Sequence, residues 1–482
     1  MPATHPTVPR LTLAGWAVCV VAVRAAAQDW TRFGWDAGRS SAPGVPTGIT
    51  AANVASLERQ QVAIDGTVDA SAIYLHGARV QGRTVDVFFV TTTYGKTLAI
   101  DAAGGTVLWE YTPPDYNTWV RSYRVTTATP VADPDRAFVY AASPDGKVQK
   151  LAVADGHAVW STAITRLPRR EKLASPLNYF AGHVIATTGG YVGDASPYQG
   201  HVAVLDGASG TLEHVWNSLC SDRPGLLDPA SCSESGSAVW GKAGAVIDST
   251  TGNIFVATGN GRWDGRTHWG DAVLQLDTDA TRLLGNYTPE NTEALDAHDA
   301  DLGSTSPVLL GGGLIAQGGK DGSIRLLDWG AMRGTVPHRG GERQVVATPS
   351  GAGLFSAPAV LRSAAATWLF AVVGGEEPGR RRRRRHGGVD ARRWSAAADV
   401  ASGGRRDEPR RRRRPPVRVR SRRGRPGVRR ADRAPDREAR VRPRPLEQPD
   451  RGRREDRAPG GELERSRHQR NPRHLAAAVT ES

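Results

Sequence analysis

The chemistry most directly legible in this chain begins with sulfur. Three cysteines occur in 482 residues. Cys220 and Cys232 lie in a segment rich in Ser, Asp, Pro and Gly. In an oxidising compartment they can bridge and staple one surface loop; otherwise they are two free thiols in that loop. The second block of reactive groups is guanidinium. From Arg380 to Ser482 there are 35 Arg, no Lys and 14 acidic residues, a net of +21, whereas residues 1–379 carry −7. The basic balance of the chain therefore belongs to one end only, and the two parts need separate explanations.

The first residues read as an address. Arg10 precedes an apolar run from Leu11 to Val23, followed by Ala25, Ala26 and Ala27. A charged start, a short apolar stretch and an Ala-x-Ala site make residues 1–27 a secretory signal, which would remove Cys19. The alternative, a membrane anchor, is disfavoured because the run is short and ends in Arg24. No later stretch is apolar enough to cross a bilayer. The expected location is periplasmic or secreted.

The elements that must position any site form a repeat. Thr97–Trp109, Lys150–Trp160 and His201–Trp216 each hold alternating apolar residues, a tight Asp/Gly turn and a short strand closed by tryptophan. The tryptophans are 51 and 56 residues apart. Weaker copies follow at Ala272–Asp277 and Ser323–Asp328. A further strand precedes each copy, and a Ser/Ala/Thr-Pro element lies upstream at Thr129-Pro130, Ser175-Pro176, Ser306-Pro307 and Ala357-Pro358. That makes about four short strands per period of roughly 50 residues, with no helical periodicity. Such a unit cannot bury both faces alone. Stacked radially, each sheet covers the next. Residues 28–375 are therefore expected to form an all-β propeller of four-stranded blades, with about five complete blades here and seven or eight in the intact product. The repeated Trp, Asp and Gly are read as blade-building residues.

The pattern resembles the repeat of pyrroloquinoline-quinone (PQQ) enzymes. Asp29–Gly34 and Ile49–Leu57 look like the opening segment of quinoprotein alcohol dehydrogenases. The resemblance implies a site. Trp240 falls where a tryptophan stacks on the quinone, and Asn260, in Thr258-Gly-Asn-Gly261, where an asparagine ligates calcium. Asp299 falls at the catalytic aspartate, also a calcium ligand, and Lys320 at a lysine that contacts the quinone. Asp69 stands where a quinone-contacting glutamate is usual. The chemistry implied is abstraction of hydride or a proton from an alcohol or aldose, with Asp299 as base and Ca²⁺ polarising the quinone.

Two departures oppose that reading. The family's adjacent cysteine pair is missing; the matching stretch is Arg121–Thr126. Its calcium-ligating glutamate is absent from Gly189–Asp194, where Asp194 is the one carboxylate, in a shifted position. Asn and carboxylate oxygens suit calcium, but one amide and distant carboxylates hold it weakly. The expected function is an exported, non-catalytic or degenerate quinoprotein-like scaffold that binds protein or polymer partners, as the outer-membrane assembly propeller does. The alternative is a PQQ/Ca²⁺-dependent alcohol or sugar dehydrogenase.

Residues 376–482 admit three readings: a nucleic-acid-binding tail, a solvated disordered extension, or translation out of frame. Thirty-five Arg without one Lys is the composition of GC-rich DNA read in a wrong frame. Advancing by one nucleotide leaves the middle base of most new codons free. Asp407–Ser421 then permits T-S-P-V-V-A-G-G-L-L-Y-V-Y-D-P. Leu446–Glu464 permits W-N-S-P-I-V-A-D-G-K-I-A-L-P-E-G-S-W-N. Arg465–Ala478 permits D-R-V-T-N-G-I-L-D-I-W-R-L-P, and the next shifted codon can be a stop. These are blade strings, in order and in one frame. The third reading is the one adopted, with the break between Gly374 and His386 and no nucleic-acid partner expected.

Overall fold

Short stretches of alternating apolar residues, punctuated by Asp/Gly turns, pair with their neighbours in the chain. The computed structural model of the chain describes residues 28–348 and 351–373. The expected signal at 1–27 and the arginine-rich segment 376–482 lie outside the described residues. Five four-stranded antiparallel sheets follow one another, each in simple sequential strand order. Blade 1 comprises Ile73–Val80, Arg83–Thr91, Thr97–Asp101 and Val107–Tyr111. Blade 2 comprises Val131–Ala132, Phe138–Ser143, Lys147–Ala152 and Ala158–Ala163. Blade 3 comprises Asn178–Phe180, His183–Thr187, His201–Asp206 and Leu212–Asn217. Blade 4 comprises Val246–Ile247, Ile254–Ala257, Val273–Leu276 and Leu283–Tyr287. Blade 5 comprises Val308–Gly311, Leu314–Gly318, Ser323–Asp328 and Gln344–Ala347. A sixth sheet holds two strands, Ala359–Arg362 and Thr367–Phe370. The chain is an all-β propeller with five complete blades among its described residues.

The cores lie between sheets, as the period-2 pattern demands. Val139 and Ala141 of blade 2 join Leu75, Phe89 and Trp109 of blade 1. Their sequence neighbours Tyr140 and Ala142 turn the other way, into a cluster with Val184, Ala203 and Leu205 of blade 3. Blades 3 and 4 share a third core, and blades 4 and 5 a fourth. Blades 2 to 5 are thus buried on both faces, and neither face is stable without a neighbour.

The repeated turn fastens one blade to the next. In blade 3, Asp206 takes the backbone N–H and hydroxyl of Ser209 on one carboxylate oxygen, which fixes the turn. Gly210 follows at φ 76°. A Cβ there would lie 2.4 Å from the ring of Trp160 in blade 2. Glycine therefore serves both the left-handed turn and the close approach of the preceding blade's tryptophan. Trp109 lies over the matching turn of blade 2 and donates to the carbonyl of Val153 at 3.0 Å. The tryptophans are inter-blade clasps.

An N-terminal arm, residues 30–40, crosses the first strands of the blades. Trp30 pairs with Tyr74 of blade 1, and the carbonyl of Thr31 accepts from Ala132 of blade 2. Arg32 and Arg39 donate to the carbonyls of Tyr179 and Leu177 at blade 3. Ala37 accepts from Ile247 of blade 4, and Ser40 from Val360 of the sixth sheet. One eleven-residue segment can reach all these strands only if they converge, so the first strands are innermost and the arm is the hub. In blades 2, 3 and 4 its contacts at Ala132, Tyr179 and Ile247 fall at the end of the strands that carries the turns between strands 1 and 2. Turns between strands 2 and 3, and the connectors between blades, lie at the other end. No helix among the described residues is long and apolar enough to cross a membrane.

Candidate functional site

At that other end, four loops from two blades converge on one carboxylate. Trp240 comes from the connector between blades 3 and 4. Asn260 comes from the turn between strands 2 and 3 of blade 4, and Lys320 from the matching turn of blade 5. The connector between these blades carries a short helix, Thr292–Ala297, and then Asp299 and Asp301. The Asp301 carboxylate accepts from the Asn260 backbone N–H at 3.0 Å on one oxygen. Its other oxygen accepts from the Trp240 indole at 3.1 Å and lies 3.0 Å from Lys320 Nζ. Gly259 makes room for this: a Cβ there would sit 3.0 Å from the indole nitrogen and 3.3 Å from the Asp301 carboxyl. Lys320 Nζ also lies 5.4 Å from the centre of the Trp240 ring, a cation–π contact.

Asp299 is placed differently. It touches Lys320 at 2.7 Å, but its side chain is 65 % exposed, against 5 % for Asp301. Burial works against the Lys320 ammonium; the hydrogen bond to Asp299 and the charge of Asp301 outweigh it and hold its pKa above the ordinary lysine value. Behind Asp301 lies a second buried acid, Asp271. One of its oxygens accepts from Leu302 N–H at 2.9 Å, and the other has no partner. Burial pushes this carboxyl up to about 7, the Leu302 hydrogen bond opposes the shift, and the charge of Asp301 adds to it.

The remaining expected site residues lie around this cluster. Asp194 is exposed at φ 44°. Partial desolvation raises its pKa, a hydrogen bond from Tyr198 opposes, and the charges of Asp301 and Asp299 add to the shift. Asp69 is exposed on the segment ahead of blade 1 and acts electrostatically on Lys172. Burial, and then the charge of Lys242, lower the Lys172 pKa to about 8. Lys172 belongs to a two-residue ribbon with Gly189–Gly190, and a Cβ at Gly189 would meet Trp240 at 3.2 Å. The same ribbon buries Glu171 against His201 at 3.1 Å, both side chains wholly inaccessible. Sequence reading passed over Asp301, Asp271, Lys172 and Lys242. The one available signal for Asp301 was its place in the His298–Asp301 segment, and spacing alone does not choose between two aspartates there.

The two stretches that depart from the dehydrogenase pattern meet. Tyr191, in the stretch that lacks the glutamate, is buried with its hydroxyl donating to the carbonyls of Pro144 and Pro168. Tyr123, in the stretch that lacks the cysteine pair, packs edge-on against it at 6.2 Å. Among the described residues, the one group of three ligand-type side chains within 4.8 Å is Cys220, Cys232 and His268. Cys220 and Cys232 are joined as a disulfide, with S–S 2.01 Å, so that group is no metal site.

A sequence profile of the family described as outer membrane protein assembly factor BamB matches residues 50–262. No curated protein sequence matches the chain. Among solved structures, a quinohemoprotein alcohol dehydrogenase from Pseudomonas putida HK5 is similar at TM-score 0.52 and 16 % identity, over 66 % of this chain and 48 % of that one. One from Comamonas testosteroni gives 0.48 and 20 %, over 69 % and 51 %. BamB from Moraxella catarrhalis gives 0.36 and 15 %, over 64 % and 78 %. The chain spans about half the length of the two dehydrogenases. At 16 % identity the likeness to the Pseudomonas putida enzyme speaks to the fold alone.

Proposed function

We propose that this β-propeller belongs to the PQQ-repeat superfamily and is an exported binding scaffold, a degenerate quinoprotein that takes protein or polymer partners and does not oxidise alcohols. The observation that carries this reading is the state of Asp301. Its oxygens are taken by an indole N–H, a backbone N–H and an ammonium. Lys320, an internal cation, already supplies the counter-charge that a divalent ion would supply. Asp194, Asp299 and Asp301 do not gather within ligand distance of one another, and Tyr191 offers no carboxylate in the stretch where one is needed. Calcium wants six to eight oxygen ligands, and this donor set does not fit it. Export rests on the signal-like sequence of residues 1–27, a charged start, an apolar run and an Ala-x-Ala site.

The test uses the full chain with PQQ and Ca²⁺. After gel filtration the expected result is no retained quinone absorbance, and no dye reduction with alcohols or sugars. Stoichiometric retained quinone, with dye reduction abolished by Asp301→Asn, overturns the proposal. The second reading, a PQQ/Ca²⁺-dependent alcohol or sugar dehydrogenase, is favoured by the convergence of Trp240, Asn260, Asp301 and Lys320. It would place the working carboxylate at Asp301 in preference to Asp299, which faces solvent.

A further inference from the structure

The sixth sheet has one face covered and one bare. Leu369 and Val360 pair across the hairpin and turn toward blade 5, where they join Val308, Leu310 and Ala316. The alternate pairs point away: Leu361 opposite Trp368, and Ala359 opposite Phe370. Leu361, Trp368 and Phe370 are 50 %, 44 % and 46 % exposed. In the complete blades this face is buried by the next sheet; Tyr140 and Ala142 of blade 2 are each 1 % exposed. The hairpin sits in its proper place, because the arm's Ser40 binds Val360. The other flank of the array, on blade 1, shows Phe88 at 37 % exposure, with Val62, Ile64 and Val68 covering only part of it. An open strand edge beside an exposed apolar face is a pairing site in search of a strand.

We infer that this flank is a docking surface for the polypeptide that codons 387–478 of the same gene encode when read one nucleotide on. The occupant is identified by order. A sheet holding strands 1 and 2 needs a third strand with an Asp/Gly turn, then a fourth closed by tryptophan, then the Ser-Pro element of a new blade. The shifted frame permits V-A-L-T-R-A-D-G across Gly387–Trp394 and W at Val400. T-S-P-V-V then begins at Asp407. The sequence as translated lacks the pattern this role needs: its 35 Arg interrupt any alternation of apolar residues, and no Asp/Gly turn leads to a strand closed by tryptophan. The inference does not depend on how the axial site is read.

The experiment has three readouts. The nucleotide sequence of codons 374–480 is expected to permit all four strings and a stop across codons 479–480; codons that forbid them overturn the inference. A single-nucleotide correction within codons 374–386 gives a second chain to express beside the first. Acrylamide quenching of Trp368, isolated by difference against Trp368→Phe in each chain, is expected to fall several-fold in the corrected one. Equal quenching in both overturns the inference. Should the corrected chain not fold, Leu361→Lys in the present chain decides. It is expected to leave the melting temperature unchanged, because the face is bare; a drop of several degrees shows the face already covered and refutes the assignment.

Discussion

Lys320 binds two aspartates that stand two residues apart, and only one of them is inside the protein. Its Nζ lies 2.7 Å from the exposed Asp299 and 3.0 Å from the buried Asp301. Removing the ammonium strands a buried charge. Lys320→Met is expected to cost about 3–5 kcal/mol in urea unfolding, the range for breaking one side of a buried pair. Asp299→Asn is expected to stay within about 0.5 kcal/mol, as an exposed ion pair should. Equal losses in the two variants would show that the two carboxylates are equivalent.

The clasp between blades gives a second expectation. Gly210→Ala introduces both a left-handed alanine and a Cβ against Trp160. Gly225 has φ 81° with nothing near its missing Cβ. Gly225→Ala therefore carries only the backbone strain, about 1–2 kcal/mol, and Gly210→Ala adds an overpacking cost of about 1–3 kcal/mol. Chemical denaturation of both variants separates the two contributions. Equal costs would mean that the tryptophan yields freely.

Asp271 supplies a pH dependence of defined sign. Its carboxyl keeps its proton in the folded protein up to about 7, whereas the unfolded chain releases it near 3.8. Between those values the folded state binds more protons, so stability falls as pH rises through the window, by at most about 1.4 kcal/mol per pH unit. Asp271→Asn cannot ionise and should flatten this slope, gaining on the parent protein above pH 7. Urea midpoints at the two ends of the window check it; parallel profiles for the two proteins would remove Asp271 as the cause.

What could be read in advance, and what could not, divides by range. The blades were legible because alternation, an Asp/Gly turn and a closing tryptophan are set within a dozen residues of one another. The partner of each tryptophan was not: nothing local says that Trp160 reaches Gly210. The site behaved the same way. Trp240, Asn260 and Lys320 fall on one cluster because each sits at a fixed place in its blade. Which of Asp299 and Asp301 is buried against Trp240 depends on how a short helix-and-turn connector packs, and spacing in the sequence does not carry that. The arm's residues Asp29–Gly34 stood out as an opening segment, but its contacts did not, since the backbone carbonyls that make most of them carry no residue-type signal.

The arm yields a fourth expectation. Arg39 is 3 % exposed and donates to the carbonyls of Phe33 and Leu177. Arg39→Ala leaves both carbonyls unsatisfied in a buried place and is expected to cost about 2–5 kcal/mol. Limited proteolysis should then cut the 30–40 segment first. A variant that unfolds like the parent would demote the arm to a passive strand.

Ser40 and Val360 hold hands across 320 positions of chain. The arm therefore meets this partner only after the five complete blades between them have been made. Blades with local hairpins can settle as they emerge, but the hub must wait, and contacts so distant in sequence form late. During that interval the inner strands have no lid and the nascent ring has no fastening. Were the chain exported, as proposed above, the delay would serve it, because a chain whose final latch is withheld has not yet become too rigid to thread.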